Sequence, residues 1–289
     1  MLVTGVLAEV SGSGQRWLTK KLSAGLARDL DDSKNLVSFR NASVGEAWAR
    51  ALVPSAETPA DLLRAVSRES DLELRARCPE RSESQCWRFC DDSFAAPSAV
   101  VERMTRHLAR MQAHGVRLLA VQSELLCTRR LNDEKSAGGN RFVSDLHAME
   151  RLVLSFRERA GAPLLVHCGK VGGMADYDRY FGPLSGRLRT TLLQEPEESA
   201  YHFPGLGEIH FEKDADAKNP LVMLASMVGK YLRELSMARI WRYYAHHDDR
   251  IERASGYHDP VTSDLVRLSL PVRRRQRIDT SCFERRGNV

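Results

Sequence analysis

The residues able to do chemistry are concentrated between Asp214 and Asp264, in DADAKNPLVMLASMVGKYLRELSM and then IWRYYAHHDDRIERASGYHDPVTSDL. Lys230, Arg233, Glu234 and Tyr257 supply two cations, a carboxylate and an aromatic ring, and Asp32-Ser33-Lys34 adds a second polar group near the start. Basic side chains can neutralise phosphates, a carboxylate can hold a hard cation such as Mg²⁺, and an aromatic ring can lie against a sugar or base. Each residue also has an ordinary reading. Glu234 can be a helix acid paired with a neighbouring arginine, Tyr257 a packing residue in a Gly-Tyr turn, and Asp32 a helix cap. Hydrolysis of a phosphodiester with paired metals demands more, namely several carboxylates converging within about 4 Å of two ions.

Other constellations are weaker. Cys78, Cys86 and Cys90 suggest a zinc knuckle, but a structural zinc site needs four ligands. No fourth stands nearby, although His107 and His114 exist, so plain thiols are expected. His167 and Cys168 are adjacent on an expected strand, where neighbours point to opposite faces and do not pair as base and nucleophile. Ser11-Gly12-Ser13-Gly14 lacks the Lys-Ser/Thr of a phosphate loop and reads as a turn. His246-His247-Asp248-Asp249 reads as a solvated helix end.

These residues need elements to hold them. Leu2 to Val10 reads as a strand. A helix over about 99–113 places Val100, Met104, Leu108 and Met111 at helical spacing. Gly115 ends that helix before the strand VRLLAVQSEL. A helix over about 141–160, a strand at Leu164 to Cys168, another helix, and strands near Arg189 to Leu193 and at 207–213 follow. The longest helix runs from about Pro220 to His246, its apolar face made by Leu224, Met227, Val228, Tyr231, Leu232 and Leu235. Residues 45–96 show mixed charge and little periodicity, and read as an irregular insertion with short helices. Alternating strands and helices imply an α/β fold with a mixed sheet.

Composition narrows the class. The chain has 289 residues, 43% hydrophobic and 28% charged, ordinary for a globular protein with a core. The longest apolar run, Leu221 to Val228, falls far short of the ~20 residues of a membrane helix. MLVTGVLAEV has no basic leader and is not expected to be a signal peptide. Six cysteines in a chain of this length do not form a disulfide framework, which points to the reducing cytoplasm. The net charge is +5, and the seven arginines against two acids from Leu265 to Val289 account for all of it. The segment 266–289 therefore reads as a basic tail, either solvated or, through PVRRRQR, in contact with phosphates.

The order of these motifs resembles the ribonuclease HII family, specifically an outlying bacterial branch. The family's Ala-Ser-x-x-x-Lys helix is matched by Ala225, Ser226 and Lys230, its Arg-Asp pair by Arg233-Glu234, then Met237, and its Gly-Tyr-x-Thr by Gly256-Tyr257 with Thr262 displaced. Asp32-Ser33-Lys34 matches its Asp-Ser-Lys motif, and LLVHCGKVGG matches a strand followed by Asp-x-x-Gly-Gly. The resemblance covers most of the chain outside about 45–95. It implies a ribonuclease H-like domain over 1–265, with substrate contacts from Asp32, Ser33, Lys34, Lys230, Arg233 and Tyr257, the tyrosine lying at the junction of ribonucleotide and deoxyribonucleotide. The implied partner is an RNA/DNA hybrid or a ribonucleotide-containing duplex, and the implied cofactor for cutting is Mg²⁺ or Mn²⁺.

The family's four acids are incompletely matched. Glu234 replaces the helix aspartate, and Gly169 stands where the central-strand aspartate belongs. Ala8-Glu9 before Gly12 and Gly14 aligns with the first Asp-Glu-x-Gly-x-Gly pair. Alternatively MLVTGVLA is the family's second strand and the chain starts after that motif, a reading its apolar character favours. Glu234 and Glu9 are then the expected catalytic and metal-holding residues, with hydrolysis impaired or lost. The competing expectation is a non-catalytic interaction or scaffold protein that keeps only the fold.

Overall fold

A computed structural model describes residues 1–79, 85–257 and 259–286. In chain order the elements are β1 (Leu2–Val10), α1 (Gly12–Leu18), α2 (Ala24–Ala27), α3 (Ser33–Leu36), α4 (Ser43–Leu52), α5 (Pro59–Val66), α6 (Asp71–Ala76), α7 (Ser98–Ala113), β2 (Val116–Leu125), α8 (Thr128–Ser136) and α9 (Arg141–Ala160). Then come β3 (Leu164–Gly169), β4 (Thr190–Gln194), β5 (Glu198–Phe203), β6 (Gly207–Glu212), α10 (Ala215–Lys218), α11 (Pro220–Ala245), α12 (Pro260–Arg275) and α13 (Thr280–Phe283).

The α/β class is as expected, with the strands divided between two sheets. β1 and β2 form an antiparallel pair running from Leu2 opposite Leu125 to Val10 opposite Val116. The second sheet has the order β3-β6-β5-β4, mixed because β3 runs parallel to β6 while the other pairs are antiparallel. The two sheets share helices, since α9 and α11 each pack against both β1 and β3. Close approach of α11 to β1 depends on Gly229, where a Cβ would fall 2.8 Å from Thr4 Oγ1. The apolar face read from the sequence of α11 is buried throughout.

Among the described residues four apolar clusters divide the interior, the smallest being Leu7, Leu152 and Phe156 between β1 and α9. The first surrounds the fully buried Trp48 of α4, packed among α5, α7 and α11. The second joins α9 to the mixed sheet through aromatic rings, with Tyr177 stacked on Phe211 at 4.0 Å between centroids. The third packs Tyr243 and Tyr244, at the end of α11, against Leu265, Val272 and Ile278.

Several expectations are corrected. The stretch 45–96 carries the short helices expected of it, and they belong to the core, because α4 lies against α11 and supplies Trp48 to the main cluster. Its Nε1–H donates to the Asp29 carbonyl at 2.6 Å, a contact from outside the segment. The basic tail is ordered as the second half of α12 and α13, because its apolar residues complete the third cluster. Ser11 to Gln15 opens α1 instead of forming only a turn, with the Ser11 side chain capping the helix. The helix expected after β3 is a single 3₁₀ turn, Asp178–Tyr180. Among the described residues no helix is long and apolar enough to cross a membrane.

Candidate functional site

Ser226, Lys230, Arg233 and Met237 recur at helical spacing and form one stripe along α11. Two distant segments close on that stripe. At one end Ser33, the first residue of α3, has its hydroxyl 2.9 Å from that of Ser226. Asp32 caps α3 by accepting from the Lys34 N–H at 2.9 Å, the ordinary capping role. The Lys34 ammonium is 3.4 Å from Asp32 and largely exposed. That carboxylate, with smaller contributions from Asp216 and Tyr257, raises the lysine's pKa and keeps it charged.

At the other end the Gly256-Tyr257 turn lies over Arg233. The guanidinium sits 4.4 Å from the centroid of the Tyr257 ring and donates to the Ser255 carbonyl at 2.6 Å. Gly256 has φ +74, and a Cβ there would fall 2.8 Å from Met237 Cε, so both conformation and space call for glycine. Thr262, displaced in sequence, returns to the turn by accepting the Gly256 N–H at 3.1 Å. Tyr257 remains 58% exposed, its ring packed against the arginine on one side. Of the six substrate-contact residues implied by the resemblance, Lys230 and Arg233 stand on this stripe, Ser33 and Tyr257 touch it, and Asp32 and Lys34 flank Ser33.

The two expected metal-holding acids are not gathered. Glu234 is 3% exposed, with Oε1 2.5 Å from Arg233 and Oε2 buried with no hydrogen-bond partner among the described residues. Glu9 is exposed near the opposite end of β1, bound to Arg117 across the strand pair. Arg233 lies within electrostatic range of the Met1 amine, at the start of that strand. With ~3.3 Å rise per strand residue, Glu9 stands more than 20 Å along β1 from that end. Gly169 ends β3 with nothing within 4 Å of a would-be Cβ, so packing does not account for the missing acid. A Mg²⁺ pair needs converging carboxylates, and Glu234 with Glu9 does not fit it.

Among the described residues one group stands at metal-ligand spacing, and sequence reasoning missed it. One ligand atom each from Glu198, His210 and Glu212 lie within 4.8 Å of one another, half-buried on one face of the mixed sheet, and could hold a metal ion. His210 Nδ1 is 2.7 Å from Glu198, its Nε2 is 3.4 Å from Glu208, and His167 Nδ1 is 2.5 Å from Glu212. Burial opposes a charge on His210, but the hydrogen bonds to Glu198 and Glu208 outweigh it and raise the pKa. The hydrogen bond from His167 is the main reason the Glu212 pKa is lowered. The available signal was the alternation in GEIHFEK, which puts residues 208, 210 and 212 on one face.

The remaining candidates are structural. Cys168 turns into the aromatic core away from His167, and burial pushes its thiol up to about 12. His107 is buried against Asp29 and His114 stacks on Trp17, so neither supplies a ligand to the cysteines. His246 packs against Phe89 and His247 against Tyr243, a partly packed helix end where a solvated one was expected. Comparison with models of known families, with curated proteins and with solved structures finds no match to this chain.

Proposed function

We propose that this chain is a ribonuclease HII-like protein, ribonuclease H-like in fold, that recognises RNA/DNA hybrid or ribonucleotide-containing duplex with its cutting centre impaired or lost. The observation that carries this reading is the meeting of Asp32-Ser33-Lys34 with the α11 stripe and the Gly256-Tyr257 turn, segments separated by about two hundred residues. Lys34 and Lys230 supply charge for phosphates. Tyr257 offers an exposed ring, backed by a guanidinium, for a base or sugar of a strand bearing 2′-hydroxyls.

The loss of cutting follows from the acids. Glu234 is held by Arg233, Glu9 lies elsewhere, and no acid stands at Gly169. If the chain cuts, Mn²⁺ is a better candidate than Mg²⁺ for the Glu198-His210-Glu212 group, because Mg²⁺ is held through oxygen atoms and an imidazole suits transition metals. A cytoplasmic location is part of the same proposal, supported by a cysteine count and spacing that do not form a disulfide framework.

Binding of a labelled hybrid, a duplex with one ribonucleotide and a plain DNA duplex, each at two salt concentrations, tests the reading. The expected result is preference for the ribonucleotide-containing ligands, binding that weakens steeply with salt, and no product with Mg²⁺ or Mn²⁺. Equal binding of plain DNA, or no binding at all, would overturn it in favour of a protein that keeps the fold for another interaction. Cutting abolished by Glu234→Ala would instead show that the helix acid still serves hydrolysis.

A further inference from the structure

The mixed sheet has one covered face and one open face. Tyr201, Phe203, Ile209 and Phe211 of β5 and β6 point into the aromatic core shared with α9. The alternate positions Glu198, His202, Glu208, His210 and Glu212, with His167 of β3, therefore share the opposite face. Their side chains are between 20% and 43% exposed, so solvent reaches all of them. Glu198 and Glu212 stand directly opposite each other in the antiparallel pairing of β5 with β6. Like charges so placed repel, and a cation between them relieves the repulsion.

We propose that Glu198, His210 and Glu212 bind one divalent first-row transition-metal ion on this face, with Glu208 and His167 orienting the ligands. The inference does not rest on nucleic-acid recognition, and its test uses the metal alone. One ligand atom from each of the three residues lies within 4.8 Å of the others. Ligands held about 2.1 Å from one ion stand roughly 3–3.5 Å apart, a difference that rotation of partly exposed carboxylates covers. Two carboxylates and an imidazole suit Mn²⁺ or Zn²⁺, whereas Mg²⁺ asks for oxygen throughout.

The surrounding contacts are those a metal site needs. His210 Nδ1 stands 2.7 Å from Glu198; with that nitrogen on the ion, Nε2 is left to donate to Glu208 at 3.4 Å. A carboxylate on the second ring nitrogen fixes the tautomer and orientation of a ligating histidine. His167 serves Glu212 in the same way, its Nδ1 2.5 Å from Oε1 and its ring stacked on that of His210 with centroids 5.7 Å apart. Three protein ligands on an open face leave coordination positions for water or a small ligand, as in catalytic metal sites and unlike closed structural ones.

Titration of Mn²⁺ into the dialysed full-length chain, read as loss of the free ion's EPR signal, tests this. Mn²⁺ is the probe because thiolates, of which the chain could offer six, select softer ions. One equivalent should bind. Zn²⁺ should displace it, following the affinity order of divalent metals, and equimolar Mg²⁺ should not. His210→Ala and Glu212→Gln should each abolish binding, Glu208→Gln should weaken it by about 10- to 100-fold, and His202→Ala should leave it unchanged. No bound Mn²⁺ in the wild-type chain, or an equivalent that survives the His210→Ala/Glu212→Gln pair, would overturn the proposal. Displacement by equimolar Mg²⁺ would overturn it as well, since carboxylates would then be acting without the imidazole. The wild-type titration decides by itself should a variant fail to fold.

Discussion

Tyr257 shows how much one side chain can be asked to do. Its ring is exposed, its backbone is held by Ser255 and the Gly256 turn, and Arg233 packs over one face. Removing it should cost little stability, because exposed positions contribute within about 0.5 kcal/mol. Stacking on a base is worth about 1–3 kcal/mol. Tyr257→Ala should therefore weaken hybrid binding by roughly 5- to 150-fold with the melting temperature unchanged, and Tyr257→Phe should restore most of it; fluorescence anisotropy beside a thermal melt reads both. Glu150 is the contrasting case. It is 1% exposed and accepts the Leu184 N–H at 2.7 Å and the Gly182 N–H at 3.2 Å. Burial outweighs those bonds and pushes its pKa from 4.5 up to about 7. The folded chain therefore binds this proton more tightly than the unfolded one. The associated stability is fully present below about 4.5 and is lost as pH rises through about 7. Glu150→Gln should flatten that part of the profile in urea melts at pH 4.5, 6 and 8, and a slope identical to wild type would refute the assignment.

At the scale of elements, α4 decides whether residues 45–96 are peripheral. Trp48 is fully buried among α5, α7 and α11, so Trp48→Ala should destabilise the chain by about 3–5 kcal/mol in a denaturant melt. A change under 1 kcal/mol would put this part of residues 45–96 outside the core. The difference also shows which elements are legible. Long helices and strands with their own periodicity, such as α7, α9, α11, β1 and β2, can be read from sequence with ends near those observed. α4 is too short to stand out, and what fixes it is contact with α11 from nearly two hundred residues away. α5 and α6 do carry local signals in the capping boxes Thr58-x-x-Asp61 and Ser70-x-x-Glu73. The α11 stripe was legible because it rests on helical spacing and short motifs. The Glu198-His210-Glu212 group was not, because it needed the pairing of β5 with β6.

For the whole molecule the question is what the C-terminal charge is attached to. All of the net +5 lies from Leu265 onward, which by charge alone describes a tail reaching for phosphates. The fold gives that segment a second role. Val272 and Ile278 are buried against Tyr243 and Tyr244, and the buried Arg273 reaches Glu284 at 2.6 Å. Arg286 is tied to Asn132 by its backbone N–H at 2.9 Å and to Ser136 by its side chain at 2.9 Å. Arg274, Arg275 and Arg277, by contrast, point to solvent. Packing and charge therefore reside on different residues and separate experimentally. Ile278→Ala should cost about 2–5 kcal/mol, the usual range for emptying a buried isoleucine site. Deletion of 266–289 should do more, stripping the end of α11 and producing a chain that melts early or aggregates. Replacing Arg274, Arg275 and Arg277 together with Gln should leave the melt unchanged while reducing the salt dependence of hybrid binding, because up to three phosphate contacts are lost. A deletion with wild-type stability would return the segment to a solvated tail; a triple variant with the wild-type salt slope would remove these arginines from the nucleic-acid surface while leaving their helix in the core.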